Sequence, residues 1–259
     1  MGNSEKASGP VILAVAGKGG VGKTSISATM VRLLTEAHPD SNILAIDADP
    51  AVGLATALGI DVETTIDDIR KDVAEGVEAL GLNSAVEVRN EVRYRLFDAL
   101  VEVDGFSFIA IGRPETAGCY CKVNSYLKEV ISILAENFDY VVIDGEAGIE
   151  QINRRVMEKV THMILITDGS ARGTKVVRTV RDVADELVMY ERIGVIVNRI
   201  PSMEMTRYLD LGDIEVLSVI PSDDNLADFD IRGENVFYLP SDSAVVEGTR
   251  TALKNFDII

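Results

Sequence analysis

The segment that most constrains the fold is Gly17-Lys-Gly-Gly-Val-Gly-Lys-Thr24, which matches the glycine-rich phosphate-binding pattern. In such a loop Gly17 and Gly22 let backbone N–H groups curl around a phosphate. Lys23 then reaches the β- and γ-phosphates, and Thr24 ligates Mg²⁺. Lys18 has no such duty inside its own subunit.

The sequence on both sides of the loop supports this interpretation. The apolar run at 11–16 is typical of a buried parallel strand, and Ile26, Met30 and Leu33 recur at helical spacing after the loop. Strand, loop and helix in this order direct the helix N-terminus at the bound anion. We therefore predict a nucleotide-binding segment made of Gly17, Gly19, Gly20, Val21, Gly22, Lys23, Thr24 and Ser25, with Lys18 and Lys23 as catalytic residues.

The remainder of the chain alternates strand-like and helix-like segments. Further strands are predicted at 43–47, 106–111, 140–144, 163–167, 193–198 and 215–220, with helices including 172–191 and 244–255. This alternation indicates an α/β fold, a mostly parallel sheet of about seven or eight strands with helices on both faces. We expect one domain at 11–259 after a disordered segment at 1–10. Residues 61–104 contain charged helical stretches and no clear strand.

The composition restricts the partners and the location. Lys and Arg number 25 against 42 Asp and Glu, which gives a formal net charge of −17. Such an acidic chain without a basic run is not expected to bind nucleic acid or an anionic membrane. The first ten residues lack the apolar core of a secretory signal, and no apolar stretch approaches a membrane span, so we expect a cytoplasmic protein.

Carboxylates follow two of the predicted strands. Asp47 and Asp49 end the 43–47 strand region, and Asp144 ends the 140–144 strand. Ligands of a parallel sheet bind at the carboxyl ends of its strands, and phosphoryl transfer needs a carboxylate for Mg²⁺ and a group that orients water. We assign Asp144 to Mg²⁺, Asp49 to the attacking water and Asp47 to the nucleotide. A helix cap or a turn is the structural alternative for each.

The loop with Lys18, the segment Asp47-Ala-Asp-Pro50 and the segment Asp144-Gly-Glu-Ala-Gly148 together resemble the deviant Walker A ATPases. This family, in the SIMIBI class of P-loop NTPases, includes MinD, ParA and the nitrogenase iron protein. The resemblance implies that Lys18 crosses a homodimer interface to the partner's ATP. It also implies that Asn198 contacts the adenine and that Pro221 borders the base.

The two cysteines, Cys119 and Cys121, lie in a glycine-bearing segment just before a predicted helix. Thiols near a helix N-terminus have a lowered pKa and favour the metal-binding thiolate. Two thiolates are too few for a closed site, but the dimer that the resemblance implies supplies four. Four thiolates suit Zn²⁺ or Ni²⁺, whereas a redox pair and a purely structural role are the alternatives.

The Gly-Cys-Tyr-Cys segment, with Glu146-Ala-Gly-Ile-Glu150, is similar to the CooC-type accessory ATPases. That resemblance implies nickel delivery to carbon monoxide dehydrogenase or a related cluster enzyme, with hydrolysis at Asp49 and Asp144 reopening the dimer. Three alternatives remain. They are a ParA- or MinD-like positioning ATPase, an iron–sulfur reductase like the nitrogenase iron protein, and an ATPase that activates a metalloprotein without carrying metal.

Overall fold

The computed structural model describes residues 9–80, 85–112, 129, 131–145 and 159–259. Its centre is an eight-stranded sheet in the order β3-β4-β2-β5-β1-β6-β7-β8. The strands are β1 (Val11–Gly17), β2 (Ile43–Asp47), β3 (Val101–Val103), β4 (Phe106–Ala110), β5 (Tyr140–Asp144), β6 (His162–Thr167), β7 (Arg192–Ile200) and β8 (Glu215–Pro221). All neighbouring pairs are parallel except β3 with β4.

Helices cover both faces of this sheet. They include α1 (Lys23–Ala37), α2 (Gly53–Leu58), α3 (Ile66–Leu80), α4 (Ala85–Asp98), α5 (Ala171–Leu187), α6 (Asp224–Arg232) and α7 (Ala244–Asn255). Residues 131–135 are helical as well. Side chains alternate across a strand, so β1 contributes Leu13 to the core beneath α1 and α7 and Ala14 to the core beneath α3, α4 and α5. The predicted α/β class with two helical layers is therefore confirmed.

Two local predictions were wrong. The region 61–104 was expected to hold no clear strand, but it contains β3, a three-residue antiparallel edge strand that is too short to show a periodic pattern. The helix predicted to reach residue 191 ends at Leu187. Met189 instead forms a parallel bridge with Lys159, and the N–H of Glu191 donates to the carbonyl of Thr161, so the backbone is already extended there.

The other strand predictions match the observed strands within one or two residues, and 43–47, 140–144 and the helix 244–255 are confirmed without change. The carboxyl ends of β1, β2, β5, β6 and β7 meet at one edge of the sheet. That edge collects Gly17, Asp47, Asp144, Thr167 and Asn198 in space. Within the described residues, no helix combines the length and the apolar character of a membrane span.

Candidate functional site

The phosphate loop follows β1 and requires glycine at two positions. Gly17 has a φ of 150°, and a Cβ there would lie 2.3 Å from the backbone oxygen of Ile166. Gly22 has a φ of 92°, and a Cβ there would lie 2.5 Å from the Nδ2 atom of Asn198. Helix α1 begins directly after Gly22, and none of the described side chains caps it. Its first N–H groups thus remain available to an anion.

Two residues of β7 donate hydrogen bonds to the loop. Asn198 is buried and its Nδ2 donates to the carbonyl of Val21 at 2.8 Å. The next residue, Arg199, has a φ of 57°, and its Nη1 donates to the carbonyl of Gly20 at 3.0 Å. The predicted site residue Asn198 therefore lies at the loop. Arg199 was missed, because a left-handed arginine at a strand end leaves no signal in the sequence.

Asp144 lies beneath the loop at the end of β5, fully buried. Its Oδ1 accepts a hydrogen bond from Ser27 Oγ at 2.9 Å. Burial raises the pKa of Asp144 to about 6, although the nearby hydroxyls of Thr24 and Ser27 and the charge of Lys23 oppose the rise.

The second carboxylate oxygen of Asp144, Oδ2, is buried and has no hydrogen-bond partner among the described residues. A buried carboxylate oxygen without a donor is costly unless a cation or an ordered water satisfies it. Carboxylate and hydroxyl oxygens are the ligands that Mg²⁺ uses beside nucleotide phosphates, so Asp144 and Thr24 fit a Mg²⁺ site.

Asp47 faces Asp144 directly, because the two are partners in the parallel register of β2 and β5. Its carboxylate accepts backbone N–H groups of Asp49 at 3.1 Å, Leu54 at 2.8 Å and Ala55 at 3.3 Å. Burial and the neighbouring Asp144 raise the pKa of Asp47 to about 7 against these donors. Asp47 thus fixes the start of α2, and its contact with nucleotide stays a prediction.

Asp49 lies beyond the end of β2 and is half-buried. Its Oδ1 accepts the N–H of Ala51 at 2.9 Å, and its carbonyl accepts the N–H of Val52 at 3.0 Å. This is the turn-forming role that short polar side chains take after a strand. The proposed role of Asp49 in orienting water stays a prediction.

Lys18 forms an ion pair within its own subunit that the sequence did not predict. Its Nζ lies 3.3 Å from Oδ2 of Asp168, just beyond the end of β6. Lys23 Nζ donates to the carbonyl of Lys18 at 3.4 Å. Asp168 was missed because 150 positions separate it from Lys18, and only the pairing of β1 with β6 brings them together.

A small open cavity of about 40 Å³ lies beside the loop at the ends of β7 and β8. It is lined by Asn198, Arg199, Pro221, Asp223, Leu226, Ala227 and Asp230. Two predicted base-contacting residues, Asn198 and Pro221, thus share one cavity. Their contact with adenine stays a prediction.

The predicted thiolate ligands Cys119 and Cys121 lie outside the described residues, as does the segment from Glu146 to Glu150. The last described residue before the cysteines is Gly112, two residues after the end of β4. Within the described part of the chain, no group of three or more His, Cys, Asp and Glu side chains is arranged to hold a metal ion.

Comparisons with known proteins agree with this geometry. Residues 12–236 match the model of the CobQ/CobB/MinD/ParA nucleotide binding domain. An uncharacterised ATP-binding protein of Methanocaldococcus jannaschii is 35% identical over 239 residues, which cover 91% of this chain and 94% of that protein. The carbon monoxide dehydrogenase accessory protein CooC of Rhodospirillum rubrum is 27% identical over 255 residues, covering 95% and 89% respectively.

The fold is also that of a solved nucleotide complex. The septum site-determining protein MinD of Pyrococcus horikoshii, complexed with Mg-ADP, superposes with a TM-score of 0.66 at 20% identity and covers 96% of both chains. The strand–loop–helix unit, the buried strand-end carboxylates and the family match lead to one conclusion. This chain belongs to the CobQ/CobB/MinD/ParA family of nucleotide-binding domains and is a P-loop ATPase.

Proposed function

We propose that this ATPase dimerises around ATP, carries a metal ion on Cys119 and Cys121, and delivers it to carbon monoxide dehydrogenase or a related metalloenzyme. The observation that carries the proposal is the Cys-Tyr-Cys motif in a chain similar to CooC along most of its length. Thiolates favour Ni²⁺ and Zn²⁺ over Mg²⁺, so the motif is chemically separate from the nucleotide site.

The described residues support a mechanical connection between the two sites. The N–H of Ile111, which leads into the cysteine segment, donates to the carbonyl of Asp47 at 2.8 Å. The carbonyl of Ile111 in turn accepts the N–H of Asp67 at 2.9 Å. The segment before the cysteines is therefore hydrogen-bonded to the end of β2 at Asp47, two residues before Asp49. A change at Asp49 on loss of the γ-phosphate can pass through Asp47 to Ile111, which precedes Cys119 by eight positions in the sequence.

In the proposed cycle the residues around the nucleotide divide the work of binding and hydrolysis. Gly17 to Thr24 cradles the phosphates, Thr24 and Asp144 hold Mg²⁺, and Asp49 orients the attacking water. Bound Mg²⁺ supplies the positive charge that offsets charge on the transferred phosphoryl group. Lys18 extends to the nucleotide of a second copy and so couples ATP binding to dimerisation. The four thiolates of the dimer then hold the cargo ion until hydrolysis separates the subunits.

Metal titration with gel filtration tests the proposal. Wild type, a Cys119→Ser/Cys121→Ser double variant and a Thr116→Ala control from the same segment are titrated with Ni²⁺ and Zn²⁺, with and without ATP. We expect one ion per dimer for wild type and the control, and loss of that binding in the double variant. Full-affinity binding by the double variant would show that the cysteines do not carry the metal.

A positioning ATPase is the second candidate, favoured by the MinD and ParA members of the family. Such a protein binds a membrane surface or DNA in its ATP state. Cosedimentation of the ATP-bound wild type with anionic vesicles, and its titration with duplex DNA, separate the two candidates. Binding of vesicles or DNA at physiological salt, unchanged when both cysteines are replaced, would favour a positioning role. A visible iron–sulfur absorbance of the purified dimer would instead favour an electron-transfer role.

A further inference from the structure

The ion pair between Lys18 and Asp168 connects the ends of two neighbouring strands. Gly17 pairs with Ile166 in the register of β1 and β6, so Lys18 and Asp168 leave the sheet side by side. The side chains are 35% and 32% exposed. The pair is thus open to solvent at the edge where nucleotide binds.

The two partners differ in how firmly they are held. Asp168 Oδ1 accepts the N–H of Ser170 at 3.1 Å and its hydroxyl at 2.7 Å. Ser170 itself caps α5 by accepting the N–H of Gly173 at 3.0 Å. Burial raises the pKa of Asp168, but the hydrogen bonds from Ser170 and Lys18 outweigh it and hold the pKa below its ordinary value. Asp168 is a fixed acceptor, whereas the ammonium of Lys18 ends a flexible stem.

We propose that Asp168 is a positioning residue that holds Lys18 inside its own subunit, and that Lys18 leaves it to contact the nucleotide of a second copy. This inference rests on the proposed function, in which Lys18 crosses the dimer interface. A lysine ammonium is a compact charge that exchanges readily between anionic partners. The triphosphate of a partner offers more negative charge than one carboxylate, so nucleotide in the second subunit can displace Asp168.

The strength of the pair sets how strongly it opposes dimerisation. Partly exposed ion pairs change an equilibrium by roughly 1.5- to 5-fold. A twofold dimer releases two lysines, so the pair lowers the dimerisation constant by roughly 2- to 25-fold. The effect also shrinks with added salt, because exposed charges are screened.

Asp168→Asn is a clean test because it keeps Oδ1 as an acceptor for Ser170 and removes only the charged acceptor of Lys18. Sedimentation velocity measures dimer formation against the concentration of a non-hydrolysable ATP analogue. The proteins are wild type, Asp168→Asn, Lys18→Ala and the double variant. Asp168→Glu retains the charge, and Asp182→Asn removes the same charge from an exposed position on α5.

We expect Asp168→Asn to raise the dimerisation constant with the ATP analogue by roughly 2- to 25-fold. Asp168→Glu should stay closer to wild type, and Asp182→Asn should match it. In the Lys18→Ala background, Asp168→Asn should have no further effect, because a residue that acts through Lys18 has nothing left to hold. Melting temperatures of the variants check that the fold is retained.

Failure of the inference differs from failure of the proposed function. If Lys18→Ala dimerises like wild type, the role of Lys18 across the interface is wrong, and the inference falls with it. If Lys18→Ala dimerises poorly while Asp168→Asn matches or falls below wild type, only the role of Asp168 is wrong. An equal gain from Asp168→Asn with and without Lys18 would also refute it, because a general charge effect would then suffice.

Discussion

Removal of the Ser27 hydroxyl should destabilise the protein in a pH-dependent way. Ser27 is fully buried in α1, and its Oγ donates to Oδ1 of the buried Asp144. A hydrogen bond to a charged group contributes about 1.5–3 kcal/mol, whereas one between neutral groups contributes about 1 kcal/mol. The cost of Ser27→Ala therefore depends on whether Asp144 is ionised.

The direction follows from the pKa of Asp144, which burial raises from 3.8 to about 6 in the folded protein. Between these values the folded state holds a proton that the unfolded state has lost, so ionisation of Asp144 costs stability as the pH rises through this range. Loss of the Ser27 donor raises the folded pKa further. The added cost is present at pH 8, where Asp144 is ionised, and largely absent at pH 5, where it is protonated.

Thermal and chemical unfolding of the nucleotide-free protein measures this difference. At pH 8 we expect Ser27→Ala to lose about 1.5–3 kcal/mol, or about 3–6 °C in Tm for a chain of this length. At pH 5 the loss should fall to about 1 kcal/mol. Thr29→Val is the matched control, since the buried Thr29 hydroxyl donates to the carbonyl of Ser25 at 2.7 Å and faces no carboxylate in that bond.

The control should cost about 1 kcal/mol at both pH values. Equal losses for Ser27→Ala at pH 5 and pH 8 would refute the reasoning. They would mean that Asp144 does not change its ionisation in this range, or that the bond from Ser27 does not discriminate between its two forms.

Three further predictions concern the loop. Gly22→Ala should lower the free energy of unfolding by about 1–3 kcal/mol, because alanine is strained at this positive φ and its Cβ would collide with Asn198. Gly19→Ala is the control, since its Cβ would meet nothing within 4 Å and the melting temperature of the free protein should stay unchanged. Asn198→Ala should cost about 1–3 kcal/mol in urea unfolding, because the buried carbonyl of Val21 loses its donor; an unchanged midpoint would contradict this. Lys18→Ala should keep its affinity for ATP in calorimetry but hydrolyse ATP roughly tenfold or more slowly, because it lacks a cation that the partner subunit supplies to phosphoryl transfer. Unchanged turnover would count against this role of Lys18.

Features set by neighbouring residues could be predicted from the sequence. The strand, loop and helix around Gly17 to Thr24 follow from an apolar run, glycines and helical spacing, each of which is local. The strand ends at Asp47 and Asp144 could be predicted for the same reason, because in each strand a run of four residues without charge closes with a carboxylate. The roles assigned to Cys119 and Cys121 stay predictions.

The pairings across the sheet were decided only by the tertiary structure. Strand order and register place Asp47 opposite Asp144, and the charge of Asp144 adds to burial in raising the pKa of Asp47. The same order places Asp168 beside Lys18. Local preference cannot specify this contact, since its two residues follow separate strands with four further strands between them along the chain. The sequence determined that a phosphate loop exists, whereas packing of distant strands determined which charges surround it.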